Sequence, residues 1–504
     1  METKNHSLIL FVFILLYSFV TLFFCAGASP FIDYMGIDSS VFFTIGRGMT
    51  SGKVPYIDLF DHKGLFIYFI NYFGALISHD TSWGIFLVEV IFFSIDLMFC
   101  FLIANCFLNS VKKSIFVTLL FSMFCLNYFT FEGGNFTEEY ALTFQLLSIL
   151  FLTKYFEKKS NSHPPFYMFI HGICAGVILF LRANMVMMWG GIGISIILIL
   201  IMRKQYKNIL INILTGILGV ITSCSIPILY CVATKSLTEM ISQSIVFNFK
   251  YAGNSNLLQN IIGSFKSPTY LIIFTLLIAS AIITLCSKSY TKTLKITYAI
   301  SLAFSLFSVL MPQTNYGHYL TYILPFFIPS IIIITQSLSL KISTKYKRTP
   351  LYYAALSFIF ILTIVVNLRT PIKLINPNVN SRSYCEAVEE ISNRFYQLQL
   401  NDCSVLVTNN NALFYNKMHV IPKTKYFYTP NIDYSVYPNA VDAQVKSILD
   451  GNNDVIVISY YDYLNKRIFN SQVIDERTIV RYLNKNYDLL CDINQFQMWS
   501  KKGI

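Results

Sequence analysis

Residues 36–66 read GIDSSVFFTIGRGMTSGKVPYIDLFDHKGLF, and the rest of the chain is organised around this stretch. It lies between two strongly apolar segments, residues 8–25 and 65–77, and it is far more polar than either. Acidic, basic and imidazole side chains that gather beside a membrane are a functional-site hypothesis by default. The stretch holds Asp38, Arg47, Lys53, Asp58, Asp61, His62 and Lys63.

The composition indicates a polytopic α-helical membrane protein. Of the 504 residues, 55% are hydrophobic and only 13% are charged, whereas a soluble domain carries about 25% charged residues. Many apolar runs reach about 18 residues, the length that crosses a bilayer as a helix. The net charge of +12 comes largely from short basic loops between these runs, a positive-inside pattern that argues against nucleic acid as a partner. The eleven cysteines form no CxxC pair, which argues against a zinc site.

The basic loops also set the predicted topology. They predict about eleven transmembrane helices, with the N-terminus in the cytoplasm and the C-terminus outside. Residues 8–25 form an uncleaved first span, and residues 65–77, which are short for a span, lie as a helix at the outer interface. Four polar stretches then fall on the outer side, and we expect them to converge on one external cavity. They are residues 38–63, 132–140, 182–184 and 313–318.

The composition changes near residue 370, where polar residues become frequent. The sequence therefore predicts a transmembrane module of residues 1–369, with an outer catalytic loop at 28–82, and a small extracytoplasmic α/β domain of residues 370–504. Helical periodicity and β-branched runs locate the elements of this second domain. They are helices at 381–400 and 475–486 and strands at 404–408, 454–459 and 495–500.

The acidic and basic residues of the opening stretch each allow two interpretations. Asp38 precedes an apolar run and suits a helix N-cap, but it equally suits a general base that takes a proton from an acceptor hydroxyl. Lys63 is either a snorkelling side chain or a point charge for phosphate, close to the helix N-terminus that begins near Gly64. Asp61 and His62 are placed to position that lysine.

The later polar stretches are equally open. Glu138 and Glu139 either stabilise a helix start, where acids suit the helix dipole, or belong to a site. Arg182 is either an interfacial anchor or a cation that grips a diphosphate or a sugar. His318, at the outer end of a span, fits an aromatic belt as well as a ligand-binding role.

Together these motifs resemble the GT-C superfamily of integral-membrane glycosyltransferases. The branch that the pattern resembles is protein-mannosyltransferase-like and includes aminoarabinose transferases (glycosyltransferase family 39). Members read as an acidic pair, a helix, G-x-x-P-Y-x-D, and a Lys-Pro-Pro or His-Lys-Pro motif. Asp38 matches the acidic position, residues 52–58 match the middle, and His62 and Lys63 match the last motif. TEEYAL, FLRAN, GHYLTYILP and VLVTNNNALFY extend the resemblance over nearly the whole chain.

Two positions depart from the family pattern. Ser39 stands where a second acid is usual, and Gly64 stands where proline is common. A single carboxylate provides few of the ligands that a divalent metal ion needs. The resemblance therefore specifies no cofactor and leaves a divalent cation open.

The resemblance implies an inverting transfer of a sugar from a polyprenyl-phosphate donor to a cell-envelope glycan or lipid, such as a lipopolysaccharide O antigen, lipid A or teichoic acid. The enzyme would lie in the bacterial cytoplasmic (inner) membrane, with its active site on the extracytoplasmic side. Asp38 would deprotonate the acceptor. Lys63, Arg182 and His62 would bind the departing lipid phosphate. Supporting or acceptor-binding roles would fall to Asp58, Asp61, Glu138, Glu139 and His318.

Three other classes of protein compete with this interpretation. A lipid-linked sugar flippase or other transporter would carry polar breaks near mid-span in matching halves, whereas here the polar residues lie at span ends and no repeat is visible. A glycan polymerase or ligase would place a large outer loop differently. A non-catalytic envelope protein would keep the fold without needing the carboxylate of Asp38.

Overall fold

The chain divides into two compact units. The computed structural model describes residues 2–253, 257–312, 314–341, 361, 380–408, 411–430, 437–459, 476–494 and 496–504. Unit 1 comprises residues 1–26, 89–230 and 254–369, and unit 2 comprises residues 27–88, 231–253 and 370–504. The predicted domain boundary at residue 370 stays a prediction. The predicted span at 351–366 lies, apart from residue 361, outside the described residues.

Helices dominate the first 341 residues, because long apolar runs satisfy their backbone hydrogen bonds most simply as helices. Ala183–Val186 and Gly317–Phe327 are 3₁₀-helices, and Ile241–Val246 is a π-helix. The α-helices are α1 (Glu2–Cys25), α2 (Ile37–Thr50), α3 (Leu65–Ile77), α4 (Trp83–Leu108), α5 (Val111–Cys125), α6 (Tyr128–Phe131), α7 (Thr137–Glu157), α8 (Pro165–Leu179), α9 (Met187–Met202), α10 (Tyr206–Ala233), α11 (Leu237–Met240), α12 (Phe247–Gly253), α13 (Leu257–Lys266), α14 (Pro268–Cys286), α15 (Lys292–Leu310) and α16 (Ile328–Lys341).

Among the described residues, seven helical segments are long and apolar enough to cross a membrane. The protein is therefore a multi-pass helical membrane protein, as the composition predicts. The helix predicted at residues 65–77 has those bounds in the structure, while its interfacial position, the count of eleven spans and the orientation stay predictions. The seven segments are Leu8–Cys25, Trp83–Leu108, Ala183–Met202, Tyr206–Ala233, Pro268–Cys286, Lys292–Leu310 and Gly317–Ser337.

Small residues let the helices of unit 1 approach closely. Gly172 and Gly176 face α10 one turn apart on α8, and a Cβ atom at Gly172 would lie 2.1 Å from the carbonyl oxygen of Gly216. Glycine spacing of this kind favours association of transmembrane helices. Polar pairs lock other helices together, such as the bond of 2.9 Å from Trp189 Nε1 to Ser148 Oγ.

The C-terminal part of unit 2 contains four described helices and a mixed sheet. In the sheet order β1-β2-β4-β3, β1 and β2 are parallel and the other two pairings are antiparallel. The two parallel strands are buried along their whole length, which explains why they read as continuous apolar runs. The elements are α17 (Asn380–Gln397), β1 (Val405–Thr408), α18 (Leu413–Lys417), α19 (Pro438–Leu449), β2 (Val455–Ser459), α20 (Glu476–Asn486), β3 (Tyr487–Ile493) and β4 (Phe496–Lys501).

Every helix and strand predicted in this part is present within a few residues. Sequence reasoning missed α18, α19 and β3. The signal for α19 was available, because Val441, Val445 and Ile448 repeat at helical spacing and pack in the core between helices and sheet. By contrast, β3 pairs only with β4 among the described residues, and all but its first residue are exposed or half-buried, so no run of apolar residues marks it.

Within unit 2, the C-terminal part packs on α2. The helix presents three polar side chains at spacing i, i+4 and i+7, which lie on one face. Each donates a hydrogen bond to the segment around α18: Ser40 Oγ to Asn411 Oδ1 at 2.8 Å, Thr44 Oγ1 to Asn416 Oδ1 at 2.9 Å, and Arg47 to the Tyr415 carbonyl at 2.9 Å. These three bonds fix the helix that carries Asp38 against the C-terminal part.

Candidate active site

Asp38 lies in the first turn of α2. The N-cap of this helix is Gly36, which has extended backbone and no side-chain cap bond. Asp38 is therefore not the N-cap. Its carboxylate is 39% exposed, and its Oδ2 lies 3.8 Å from the Lys63 Nζ. The geometry leaves Asp38 accessible to a ligand while holding a cation beside it.

A tight turn brings the chain from α2 back to Lys63. Gly52 and Tyr56 both have positive φ, 83° and 69°, and this backbone conformation favours glycine at the first position. Asp58 accepts a bond of 2.7 Å from the Val54 amide, so its carboxylate stabilises the turn. The Tyr56 hydroxyl donates to the Lys63 carbonyl at 2.8 Å, which ties the turn to the start of α3.

Asp61 is a buried carboxylate held by three donors. It is 2% exposed and accepts bonds from the Tyr68 hydroxyl at 2.8 Å, the Tyr428 hydroxyl at 2.9 Å and the His62 amide at 2.7 Å. Burial alone would raise its pKa, but the hydrogen bonds of His62 and the charge of Lys63 lower the pKa to about 2. Asp61 therefore stays ionised at neutral pH.

His62 connects this carboxylate to Lys63. Its Nδ1 lies 3.2 Å from Asp61 Oδ1, and its Nε2 lies 3.2 Å from the Lys63 Nζ. Burial, followed by the charge of Lys63, lowers the pKa of His62. The lowered pKa favours the neutral ring. In the tautomer with the proton on Nδ1, that proton faces Asp61 and the lone pair on Nε2 faces the ammonium.

Asp61, His62, Lys63 and Asp38 consequently form one chain of contacts, which we name the lysine relay. A buried anion polarises a neutral imidazole, which accepts from an ammonium that lies beside a second, accessible carboxylate. An ammonium with three donors in this position is suited to an incoming phosphate oxygen. The structure brings Asp61, His62, Lys63 and Asp38 together, and the roles predicted for Asp61 and His62 in positioning Lys63 stay predictions.

Residues distant in sequence support the relay, and sequence reasoning missed them. The Asn248 side chain donates to the His62 carbonyl at 2.8 Å, and the Phe247 ring packs 5.4 Å from the imidazole. The Phe60 amide donates to the Lys425 carbonyl at 2.9 Å, close in the chain to Tyr428. No local pattern marks these residues, because their roles come only from long-range packing.

A second cluster lies in unit 1 and brings together three of the predicted polar stretches. Arg182 forms an ion pair with Glu138, and its guanidinium lies 4.1 Å from the centroid of the Tyr319 ring. Burial would raise the pKa of Glu138, but the charges of Arg182 and His318 lower it. Glu138 is therefore a paired anion and not merely a residue that suits the helix dipole.

His318 occupies the same cluster. Its Nδ1 lies 2.6 Å from Glu132 Oε2, and its ring stacks on Phe136 at 4.2 Å between centroids. The backbone amide of Asn135 donates to Glu139 Oε2 at 2.6 Å, and burial raises the pKa of Glu139 to about 7. Unit 1 thus holds an acid–arginine cluster of Glu132, Glu138, Glu139, Arg182 and His318.

The structure groups the predicted site residues by unit. Asp38, Asp58, Asp61, His62 and Lys63 belong to unit 2, and Glu138, Glu139, Arg182 and His318 belong to unit 1. The convergence of all four polar stretches on one cavity stays a prediction. In the part of the chain that the structure describes, no three His, Cys, Asp or Glu side chains are arranged to hold a metal ion. The residues around Asp38 do not fit a divalent cation, because the Lys63 ammonium already lies beside its carboxylate.

The fold is similar to that of a protein whose structure has been solved. ArnT from Cupriavidus metallidurans bound to undecaprenyl phosphate aligns with 98% of this chain and 98% of its own, at a TM-score of 0.63 and 11% identity. ArnT in the apo state aligns with 99% of this chain and 98% of its own, at a TM-score of 0.61 and 12% identity. The chain therefore has a GT-C-like fold with a small C-terminal sheet. At this identity the likeness shows the fold alone.

Sequence comparison with curated proteins finds no match. A family model, described as competence-induced protein Ccs4 N-terminal domain, matches residues 2–374. That match includes the whole lysine relay, the acid–arginine cluster and all seven candidate spans. Because it covers well over half of the chain, this protein belongs to the competence-induced protein Ccs4 N-terminal domain family.

Proposed function

We propose that this protein is a glycosyltransferase that moves a sugar from a polyprenyl-phosphate donor to a hydroxyl of a cell-envelope glycan or lipid. The lysine relay is the observation that carries the proposal. It holds an ammonium beside an accessible carboxylate, and glycosyl transfer from a lipid phosphate needs one group of each kind. Undecaprenyl phosphate bound to ArnT, which has a similar fold, supports a polyprenyl phosphate as the lipid partner.

The reaction would be a single displacement. Asp38 takes the proton of the acceptor hydroxyl, whose oxygen attacks the anomeric carbon of the donor sugar. The bond between that carbon and the phosphate oxygen breaks, and both of its electrons leave with the lipid phosphate. Lys63 stabilises the negative charge that develops on the leaving oxygen. Attack opposite the leaving group inverts the anomeric configuration.

The remaining parts of the relay act through Lys63. Asp61 and the neutral His62 hold the ammonium in place, so less reorganisation is needed when the phosphate charge develops. The acid–arginine cluster supplies a second cation, Arg182, which we assign to the phosphate of the lipid donor. The site would face the extracytoplasmic side of the bacterial cytoplasmic membrane, because donors linked to polyprenyl phosphate are the sugar donors available there.

The test compares wild type, Asp38→Asn and the control Asp33→Asn at matched levels in membranes. Asp33 lies in the segment that precedes α2 and pairs with Lys417 at 2.5 Å. Mass spectrometry of surface glycans should show a sugar-sized increment with wild type and Asp33→Asn. With Asp38→Asn the amount of glycan that carries the increment should fall by about a hundredfold or more, as expected for the loss of a general base. An equal increment with Asp38→Asn would exclude Asp38 as the base, and transport of labelled lipid-linked sugar without any glycan increment would favour a flippase.

A further inference from the structure

Unit 1 contains a cavity that the lysine relay and the acid–arginine cluster do not use. Helices α4, α7, α9, α15 and α16 and the 3₁₀-helix Gly317–Phe327 surround it, and nearly all of its lining is apolar. Phe107, Phe156, Ile192, Tyr290 and Phe326 are among the lining residues. About 650 Å³ within it is free of protein atoms, the open mouth included.

One end of the cavity coincides with the end of the bundle where lysines gather. Phe107 lies one residue before the end of α4, Phe156 lies in the last turn of α7, and Leu294 lies in the first turn of α15. Eight lysines lie within a few residues in sequence of these helix ends. They are Lys112, Lys113, Lys154, Lys158, Lys159, Lys288, Lys292 and Lys295. An apolar cavity with such an end is complementary to a lipid with an anionic head group.

The cavity also presents two hydroxyl groups. Thr297 and Ser301 line it one turn apart on α15 and are 4% and 5% exposed. Neither hydroxyl has a hydrogen-bond partner among the described residues, although a serine or threonine within a helix commonly bonds to the carbonyl four residues earlier. The nearby hydroxyls of Tyr290 and Tyr298 are satisfied by the carbonyls of Pro329 and Phe326. A buried donor without an acceptor is costly, and the hydroxyls of Thr297 and Ser301 line a cavity with room for an acceptor.

We propose that this cavity binds one acyl chain of an anionic glycerophospholipid. The phosphate lies at the lysines, and the ester carbonyl accepts from Thr297 and Ser301. Thr297 lies five residues into α15 from Lys292, a rise of about 8 Å, which places the hydroxyls between the charged end and the apolar interior. An ester carbonyl has the same place in a phospholipid, between phosphate and chain. A polyprenyl phosphate has the head group and the chain but no carbonyl. The inference therefore goes beyond the proposed function and does not rest on it.

Native mass spectrometry of the purified full-length protein tests this inference with three lipid probes. They are diacyl phosphatidylglycerol, its dialkyl-ether analogue and a polyprenyl phosphate. The diacyl lipid should bind about tenfold more tightly than the ether analogue, because two hydrogen bonds to the carbonyl are lost. The double variant Thr297→Val with Ser301→Ala should lose this tenfold preference while its binding of the ether analogue stays unchanged.

Ser305→Ala is the matched control. This serine follows one turn later on the same helix and is also buried without a partner among the described residues, but it does not line the cavity. It should leave all affinities unchanged. With zwitterionic phosphatidylcholine added as a fourth probe, Lys292→Gln with Lys295→Gln should reduce the preference for phosphatidylglycerol over phosphatidylcholine several-fold at low salt. Equal binding of the diacyl and ether lipids, preferential binding of the polyprenyl phosphate, or an unchanged double variant would each overturn the proposal.

Discussion

Replacing Tyr428 by phenylalanine removes one of the three donors that hold Asp61 and leaves the aromatic ring in place. His62 and Lys63 are the groups that lower the Asp61 pKa from 3.8 to about 2, so the expected cost of the substitution comes from the hydrogen bond of Tyr428 alone. A hydrogen bond to a charged group contributes roughly 1.5–3 kcal/mol. We therefore expect Tyr428→Phe to lower the free energy of unfolding near neutral pH by about 2 kcal/mol.

The pH dependence separates this effect from a simple loss of packing. A carboxyl whose pKa is lowered on folding stabilises the protein above its unfolded value, and that stabilisation is lost as pH falls through the folded pKa. For Asp61 the window runs from about 3.8 down to about 2. The stability difference between wild type and Tyr428→Phe should therefore be constant above about pH 5 and begin to close below about pH 4.

Thermal unfolding of the purified full-length protein between pH 3 and pH 7 measures this difference. Tyr426→Phe is the control, because the Tyr426 hydroxyl pairs with the neutral Tyr437 hydroxyl at 3.0 Å. Its cost should be about 1 kcal/mol and independent of pH in this window. If Tyr428→Phe showed the same small, pH-independent cost as Tyr426→Phe, the assignment of Tyr428 as a partner of an ionised Asp61 would be wrong.

Three further predictions concern both units. Lys63→Gln should lower sugar transfer about a hundredfold or more with little change in the melting temperature; transfer at the wild-type rate would exclude Lys63 from phosphate stabilisation. Arg182→Gln should destabilise the fold by about 3–5 kcal/mol because Glu138 is left buried without its cation. Adding Glu138→Gln should recover part of that stability in thermal unfolding, and no recovery would contradict the pairing. Gly219→Ala should lower the melting temperature, because a Cβ atom there would lie 2.2 Å from a backbone carbonyl oxygen of α8. Gly193→Ala should leave the melting temperature unchanged, because a Cβ atom there would meet no atom within 4 Å. Equal effects of the two substitutions would contradict the close packing of α8 and α10.

Local features of the fold could be predicted because local chemistry determines them. The run at 65–77 is short, continuous and apolar, and it forms a helix with those bounds. The β-branched runs at 404–408 and 454–459 form the two buried parallel strands. In contrast, β3 is largely exposed and carries polar residues, so its strand character depends on pairing with β4.

The candidate site also contains contacts that the local sequence predicts and contacts that it does not. Asp61, His62 and Lys63 are consecutive, so their contacts could be foreseen from one short motif. Tyr428 could not, since it reaches Asp61 across 367 positions of the chain, and nothing in its own neighbourhood distinguishes it from other tyrosines. Glu138 and Arg182 were both singled out, but their ion pair depends on the approach of α7 to the segment that follows α8, which spacing along the chain does not encode.

The bond between Tyr428 and Asp61 has a consequence for the order of events during synthesis. Translation proceeds at about 5–20 residues per second, so the 367 residues from His62 to Tyr428 take roughly 20–75 s to make. During that interval the nascent chain already contains Asp38 and Lys63, but Asp61 does not yet have the third of its hydrogen-bond donors, Tyr428. A chain that ends before residue 428 would therefore contain the whole lysine relay without the Tyr428 donor that holds Asp61. The C-terminal part of the chain thus supplies the last hydrogen bond to a carboxylate that lies near the N-terminus.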